Sequence, residues 1–127
     1  MKKLLTVIIL LLTLAGCYND KYDKVFPLQA AVCDTTAVTY SKDIAPIIAA
    51  NCAISGGCHD AAGSLISGHD YTSYAGVQAV ASYDFIVTDI NWIPVAGHNN
   101  MPKNGAKLPD CDINKITRWV NEGAPDN

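Results

Sequence analysis

Cys52-Ala53-Ile54-Ser55-Gly56-Gly57-Cys58-His59 decides how the rest of this chain is read. Two thiols followed directly by an imidazole is the residue order that attaches a c-type haem. The cysteines form thioethers with the haem vinyl groups, and the adjacent histidine ligates iron from the proximal side. The usual form is C-x-x-C-H, whereas here five residues separate the cysteines. A longer loop reaches the same two vinyl positions if it bulges, and Gly56 and Gly57 have the backbone freedom for that. The same eight residues also fit a Cys52–Cys58 disulfide, or a zinc site with Cys52, Cys58 and His59 as ligands.

Immediately upstream, Ile44, Ile47 and Ile48 recur at i, i+3 and i+4, which predicts a helix over 43–51 running straight into Cys52. Pro46 has to lie in its first turn, where a missing N–H costs nothing, so Asp43 is the expected N-cap. Downstream, 60–70 reads as a glycine- and serine-bearing loop. Thr72 is placed to cap a short helix over 73–81. Phe85, Ile86, Val87 and Ile90 within 83–92 fit either a short helix or a strand, and helix is the reading taken because no partner strand is evident. Residues 93–107 hold Pro94, Gly97, Asn99, Asn100, Pro102, Asn104 and Gly105, and read as a loop. The final helix, over 111–122, takes Asp110 as its cap, carries Ile113, Ile116 and Val120 at helical spacing beside Trp119, and stops at Gly123 and Pro125. The expectation is an all-α domain over 38–127. Its first and last helices should pack together, because their apolar stripes have no other long helix to bury against.

The N-terminus reads differently. Met1-Lys2-Lys3 is a short positive start, Leu4 to Leu14 is almost wholly apolar, and Leu14-Ala15-Gly16-Cys17 resembles a bacterial lipobox. Residues 1–17 are thus expected to be a lipoprotein signal peptide, with Cys17 acylated. The apolar stretch is too short to span a bilayer. Residues 18–37, polar at first and containing Pro27, read as a tether. The chain is therefore expected to be exported and held by lipid on the periplasmic side or at the outer membrane. Thiols do not persist free in such a compartment. With Cys17 on lipid and Cys52 and Cys58 on haem, Cys33 and Cys111 form an even remainder that suits a disulfide. That pairing requires Cα atoms no more than about 7 Å apart.

Without Lys2 and Lys3 the chain holds seven basic and twelve acidic residues, a formal charge of −5. That balance argues against a nucleic-acid partner. Residues 18–100 hold three basic and eight acidic side chains, and 101–127 hold four of each. Lys103 and Lys107 thereby make a local basic spot that is either a solvated face or a docking patch for an acidic redox partner. So much loop in a small domain buries little apolar surface, a deficit that a large apolar cofactor would fill.

Tyr40-Ser41-x-x-Ile44-x-Pro46-Ile47 ahead of Asn51-Cys52, Met101-Pro102 followed by Leu108-x-Asp110, and Ile116-x-x-Trp119-Val120-x-x-Gly123-Ala124-Pro125 together resemble class I cytochrome c domains. The likeness is nearest to the lipoprotein c-type cytochromes of the Bacteroidetes type and covers about residues 38–127. It implies long loops around one covalent haem c, with Cys52 and Cys58 as thioether ligands, His59 as proximal ligand and Met101 as distal ligand. Met101 is the only methionine after Met1, and it stands in a polar, turn-rich loop where core packing is a poor account of it. His69 and His98 are the competing ligands. Trp92 and Trp119 are expected to pack, one or both against the haem. The implied function is single-electron transfer to and from a redox protein, with no enzymatic conversion. The other reading is a non-redox lipoprotein module with a disulfide or zinc site at Cys52, Cys58 and His59.

Overall fold

The structure, a computed structural model, describes residues 32–83 and 85–127; the segment expected to be a signal peptide, Cys17 and most of the expected tether lie outside them. Thr39 opens the first helical element. Its extended backbone turns the chain, and its hydroxyl accepts the Lys42 N–H. The Asp43 carboxylate in return accepts the Thr39 N–H at 3.0 Å. The turn so closed, Tyr40–Ile44, is a π-helical turn that continues as α1, Ala45–Asn51. The helical element thus begins at Tyr40 rather than at Asp43, and its cap is Thr39. Pro46 supplies the reason. Its ring would press on the carbonyl four residues back, and it has no N–H to give. A wider turn relieves both constraints, with the Ala45 N–H bonded to the Tyr40 carbonyl five residues back. The C-terminal residue closes the free end: Asn127 accepts the Tyr40 N–H with its side-chain oxygen at 2.7 Å and the Ser41 N–H with its backbone oxygen at 3.0 Å.

Four more helices follow: α2 (Ser64–Ser67), α3 (Tyr74–Ala81), α4 (Phe85–Ile90) and α5 (Asp110–Asn121). No strand occurs among the described residues, so the described fold is all-α. Three expected details differ. The single turn α2 stands inside the stretch read as loop. Ser73, not Thr72, caps α3 by accepting the Gly76 N–H, while Thr72 donates both its N–H and its hydroxyl to Asp70. Pro109 occupies the cap position of α5, which leaves Asp110 and Asp112 in the first turn, where their charge suits the helix dipole. Gly76 is required in α3, because a Cβ there would run into the Asp70 carbonyl oxygen.

The π-turn packs against α5, and α4 packs against both α3 and α5. Ile44, Ile48, Ile113, Ile116, Trp119 and Val120 share one buried cluster with Val77, Val80, Ile86 and Ile90. Ile47 lies at its edge, only partly buried. Asp43 and Lys115 form an ion pair at 2.7 Å beside this contact. Helix α5 ends in a Schellman turn: Gly123 adopts φ 89°, its N–H bonds the Val120 carbonyl, and the Ala124 N–H bonds the Trp119 carbonyl.

The compact unit runs from Cys33 to Asn127. Its upstream end is joined to α5 by a Cys33–Cys111 disulfide, with Cα atoms 5.4 Å apart across a sequence separation of 78 residues. A crosslink over so long a loop restricts the unfolded chain strongly. Replacing both cysteines with serine is expected to lower the unfolding free energy by about 2–5 kcal/mol. Urea unfolding followed by Trp119 fluorescence checks this; an unchanged midpoint would show the crosslink to be thermodynamically silent.

Candidate functional site

Helix α1 delivers Cys52 to a fixed place. The Cys52 and Ala53 N–H groups both bond the Ile48 carbonyl, at 2.8 and 2.9 Å, and end the helix there. The Cys52 thiol is half-buried against the core, and burial pushes its pKa up to about 11. The chain then bulges outward. Ile54, Ser55 and Gly56 are exposed, Gly56 takes φ 77°, and the Gly57 N–H closes a turn on the Ile54 carbonyl at 2.7 Å. Two adjoining glycines serve separate ends: Gly56 adopts the left-handed angle, and Gly57 has no room for a Cβ beside the Ile54 carbonyl.

The Asp60 carboxylate ties this bulge together, accepting the Gly56 N–H at 2.7 Å and the Gly63 N–H at 2.6 Å. The Gly63 amide first, and the Gly56 amide next, hold its carboxyl below the usual carboxylate range.

His59 is buried, with 8% of its surface exposed. Its ring lies flat on Tyr71, with centroids 4.2 Å apart and planes 7° from parallel. Its Nδ1 is 3.2 Å from the His69 carbonyl oxygen. A carbonyl only accepts, so Nδ1 carries the proton and Nε2 of the neutral ring keeps its lone pair. That is the arrangement of a ligating histidine oriented by a backbone carbonyl. His69 thus contributes its carbonyl rather than its exposed ring. The same backbone stretch is closed by the Tyr71 N–H on the His59 carbonyl at 2.9 Å. Burial raises the Tyr71 phenol, with lesser contributions from Cys52 and Asp89.

Met101 arrives from the long loop. Its N–H bonds the Asp89 carbonyl at 3.0 Å, and its own carbonyl accepts the Trp92 indole N–H at 2.9 Å. Its side chain is partly buried against the core. His98, three residues upstream, has its Nδ1 3.0 Å from an Asp89 carboxylate oxygen and its ring 4.5 Å from Phe85.

A cavity of about 960 Å³ is lined by Cys52, Cys58, His59 and Met101 together. Val80, Ile86 and Ile90 give it an apolar wall, and His69, His98 and Lys103 also line it. Its size is that of a site for a large organic ligand. Neither tryptophan lines it. Trp119 is a fully buried core residue, and Trp92 is more than a third exposed, serving Met101 through its indole N–H.

Cys52 and Cys58 both carry free thiols, so the disulfide alternative is not formed. Among the described residues no three histidine, cysteine, aspartate or glutamate side chains converge on an ion-sized site. The zinc arrangement of Cys52, Cys58 and His59 is therefore not assembled. A haem iron needs only two axial donors, and an imidazole and a thioether suit it. No family model, curated protein or solved structure matches this chain.

Sequence reading passed over Tyr71, Asp60 and Asp89, as well as the carbonyl role of His69. Only Asp60 carried a signal, as an aspartate followed three residues later by glycine, a turn pattern. The contrast between the two thiols has a measurable consequence. Limited alkylation of the unliganded chain near neutral pH should label exposed Cys58 well before Cys52, which is half-buried with a raised pKa. Peptide mass spectrometry reads the order, and equal rates would contradict the burial of Cys52.

Proposed function

We infer that this protein is a monohaem c-type cytochrome, held to a membrane by lipid on Cys17, that passes single electrons between redox proteins. The observation that carries this reading is a single cavity lined by two thiols, a buried imidazole with free Nε2, and a thioether. Cys52 and Cys58 would hold the porphyrin by thioethers at the cavity edge, and His59 and Met101 would be the protein's donors to its iron. Haem supplies the one-electron iron couple.

The chain's own contribution is to position donors and exclude water. Tyr71 and the His69 carbonyl keep His59 in one tautomer and one orientation. Asp89 and Trp92 grip the backbone on both sides of Met101, so the thioether is presented from a restrained loop. A soft thioether favours ferrous iron and raises the potential relative to a harder donor. The resemblance to class I cytochrome c domains, with N- and C-terminal helical segments in contact, supports the same reading.

Cys33 lies sixteen positions beyond Cys17, and the disulfide attaches it to α5. An extended chain of that length reaches at most about 55 Å. A lipid on Cys17 would thus confine the electron to partners near the same membrane surface. Lys103 on the cavity edge is the basic side chain best placed to meet an acidic one.

Expression through an export pathway with covalent haem maturation tests the reading. The wild type should stain for haem on a denaturing gel and show the far-red ferric band of methionine-ligated iron. Met101→Ala should stay stained, lose that band, fall in reduction potential and admit exogenous ligands; His59→Ala should fail to accumulate as holoprotein. An unstained wild type would overturn the reading. A stained wild type without the band would remove Met101 and make His98 the ligand to examine.

A further inference from the structure

We propose that Asp60 is the positioning residue that holds the Cys58 thiol in register with Cys52, so that a five-residue gap still presents two sulfurs to one haem. The proposal rests on the haem-carrying reading above. The two ends of the stretch have anchors of their own. Cys52 is fixed by the Ile48 carbonyl and by the core around it. His59 is fixed by the Tyr71 ring and the His69 carbonyl. Cys58 has neither kind of support: its side chain is exposed, and its place follows from the backbone of the bulge.

That backbone contains two consecutive glycines and would sample many shapes if free. Asp60 restrains it with one carboxylate used twice. One oxygen takes the Gly56 N–H in the middle of the bulge, and the other takes the Gly63 N–H at the start of α2. Both are charge-assisted and short, the strong kind of backbone tie. The clamp draws two backbones into contact. A Cβ on Gly63 would run into the Gly57 carbonyl oxygen and come within 2.9 Å of the Cys58 carbonyl oxygen. The bulge therefore leans on Gly63 at the residue carrying the second thiol. Functional groups held this way rely on a supporting shell rather than on their own side-chain packing.

Without the clamp, Cys52 and His59 keep their places while Cys58 loses its own. The expected product is a haem protein attached through one sulfur. The test compares matured wild type, Asp60→Ala and Asp60→Asn, each denatured and treated with an alkylating reagent before peptide mass spectrometry. Wild type should have both thiols blocked. Asp60→Ala should keep Cys52 blocked and leave Cys58 alkylatable, with the pyridine haemochrome band lying to the red because one vinyl group stays unsaturated. Asp60→Asn retains the side-chain size and one acceptor oxygen, so partial labelling of Cys58 is expected. It decides the matter where the alanine variant does not accumulate.

Full protection of Cys58 in the variants that mature overturns the proposal while the haem reading stands. A wild type with free Cys58 does the same. A wild type without covalent haem overturns the haem reading, and this proposal with it.

Discussion

Trp119 has no exposed surface, and its indole N–H is bonded to the Pro125 carbonyl at 2.9 Å. Tyr40 lies 5.6 Å from it and meets Tyr74 edge-on at 4.9 Å, and the Tyr74 hydroxyl donates to the Ala124 carbonyl. One aromatic seam therefore joins the π-turn, α3, α5 and the C-terminal turn. Emptying a buried tryptophan site costs about 3–5 kcal/mol, a large share of the 5–15 kcal/mol by which a domain is stable. The seam decides where the remaining chain goes. With the helices drawn together at Trp119, α3, α4 and the long loop are left to wall a cavity, and α1 ends at its edge with Cys52.

The parts of this arrangement legible beforehand are those that periodicity encodes. Ile44 and Ile48, like Ile113, Ile116 and Val120, mark buried faces at helical spacing, and they do share one cluster. Local chemistry was less transparent. Thr39 outranks Asp43 as a cap because the turn before Pro46 widens, and no propensity scale anticipates a π-turn. Trp92 looked like a packing residue, but its backbone at φ 61° turns the indole toward the Met101 carbonyl instead. The bonds that orient His59 and Met101 end on backbone oxygens of His69 and Asp89. Any residue type offers a carbonyl, so such partners leave no trace in a sequence.

The surplus of acid has a structural origin as well. Asp34 accepts from Thr36, Asp43 from Thr39, Asp60 from Gly56 and Gly63, and Asp70 from Thr72. Hydrogen bonds are the leading cause of the lowered pKa of all four, from backbone amides for Asp34 and Asp60 and from side chains for Asp43 and Asp70. Asp34, Asp60 and Asp70 stand in for regular secondary structure in chain that has little of it, and Asp43 serves the start of the π-turn; each satisfies amides that would otherwise need water. Asp89 does the same for the long loop that follows α4, with its carbonyl on Met101 and its carboxylate on His98. Much of the negative charge between residues 34 and 89 is therefore used in the turns it shapes.

The same logic explains how a cysteine pair can be spread apart without displacing the groups that flank it. Cys52 stays at the helix cap and His59 stays stacked on Tyr71, with five residues between Cys52 and Cys58. Cys52 is half-buried, His59 is buried, and the exposed residues between them are Ile54, Ser55, Gly56 and Cys58. The helix end on the Ile48 carbonyl and the Tyr71 stack on the imidazole hold the two ends to the core, where displacement would cost packing. Surplus chain outside the core costs mainly backbone order, which grows slowly with loop length. The bulge accordingly lies in solvent. What the bulge sets is the freedom of the last thiol before the histidine, not the seat of the histidine itself.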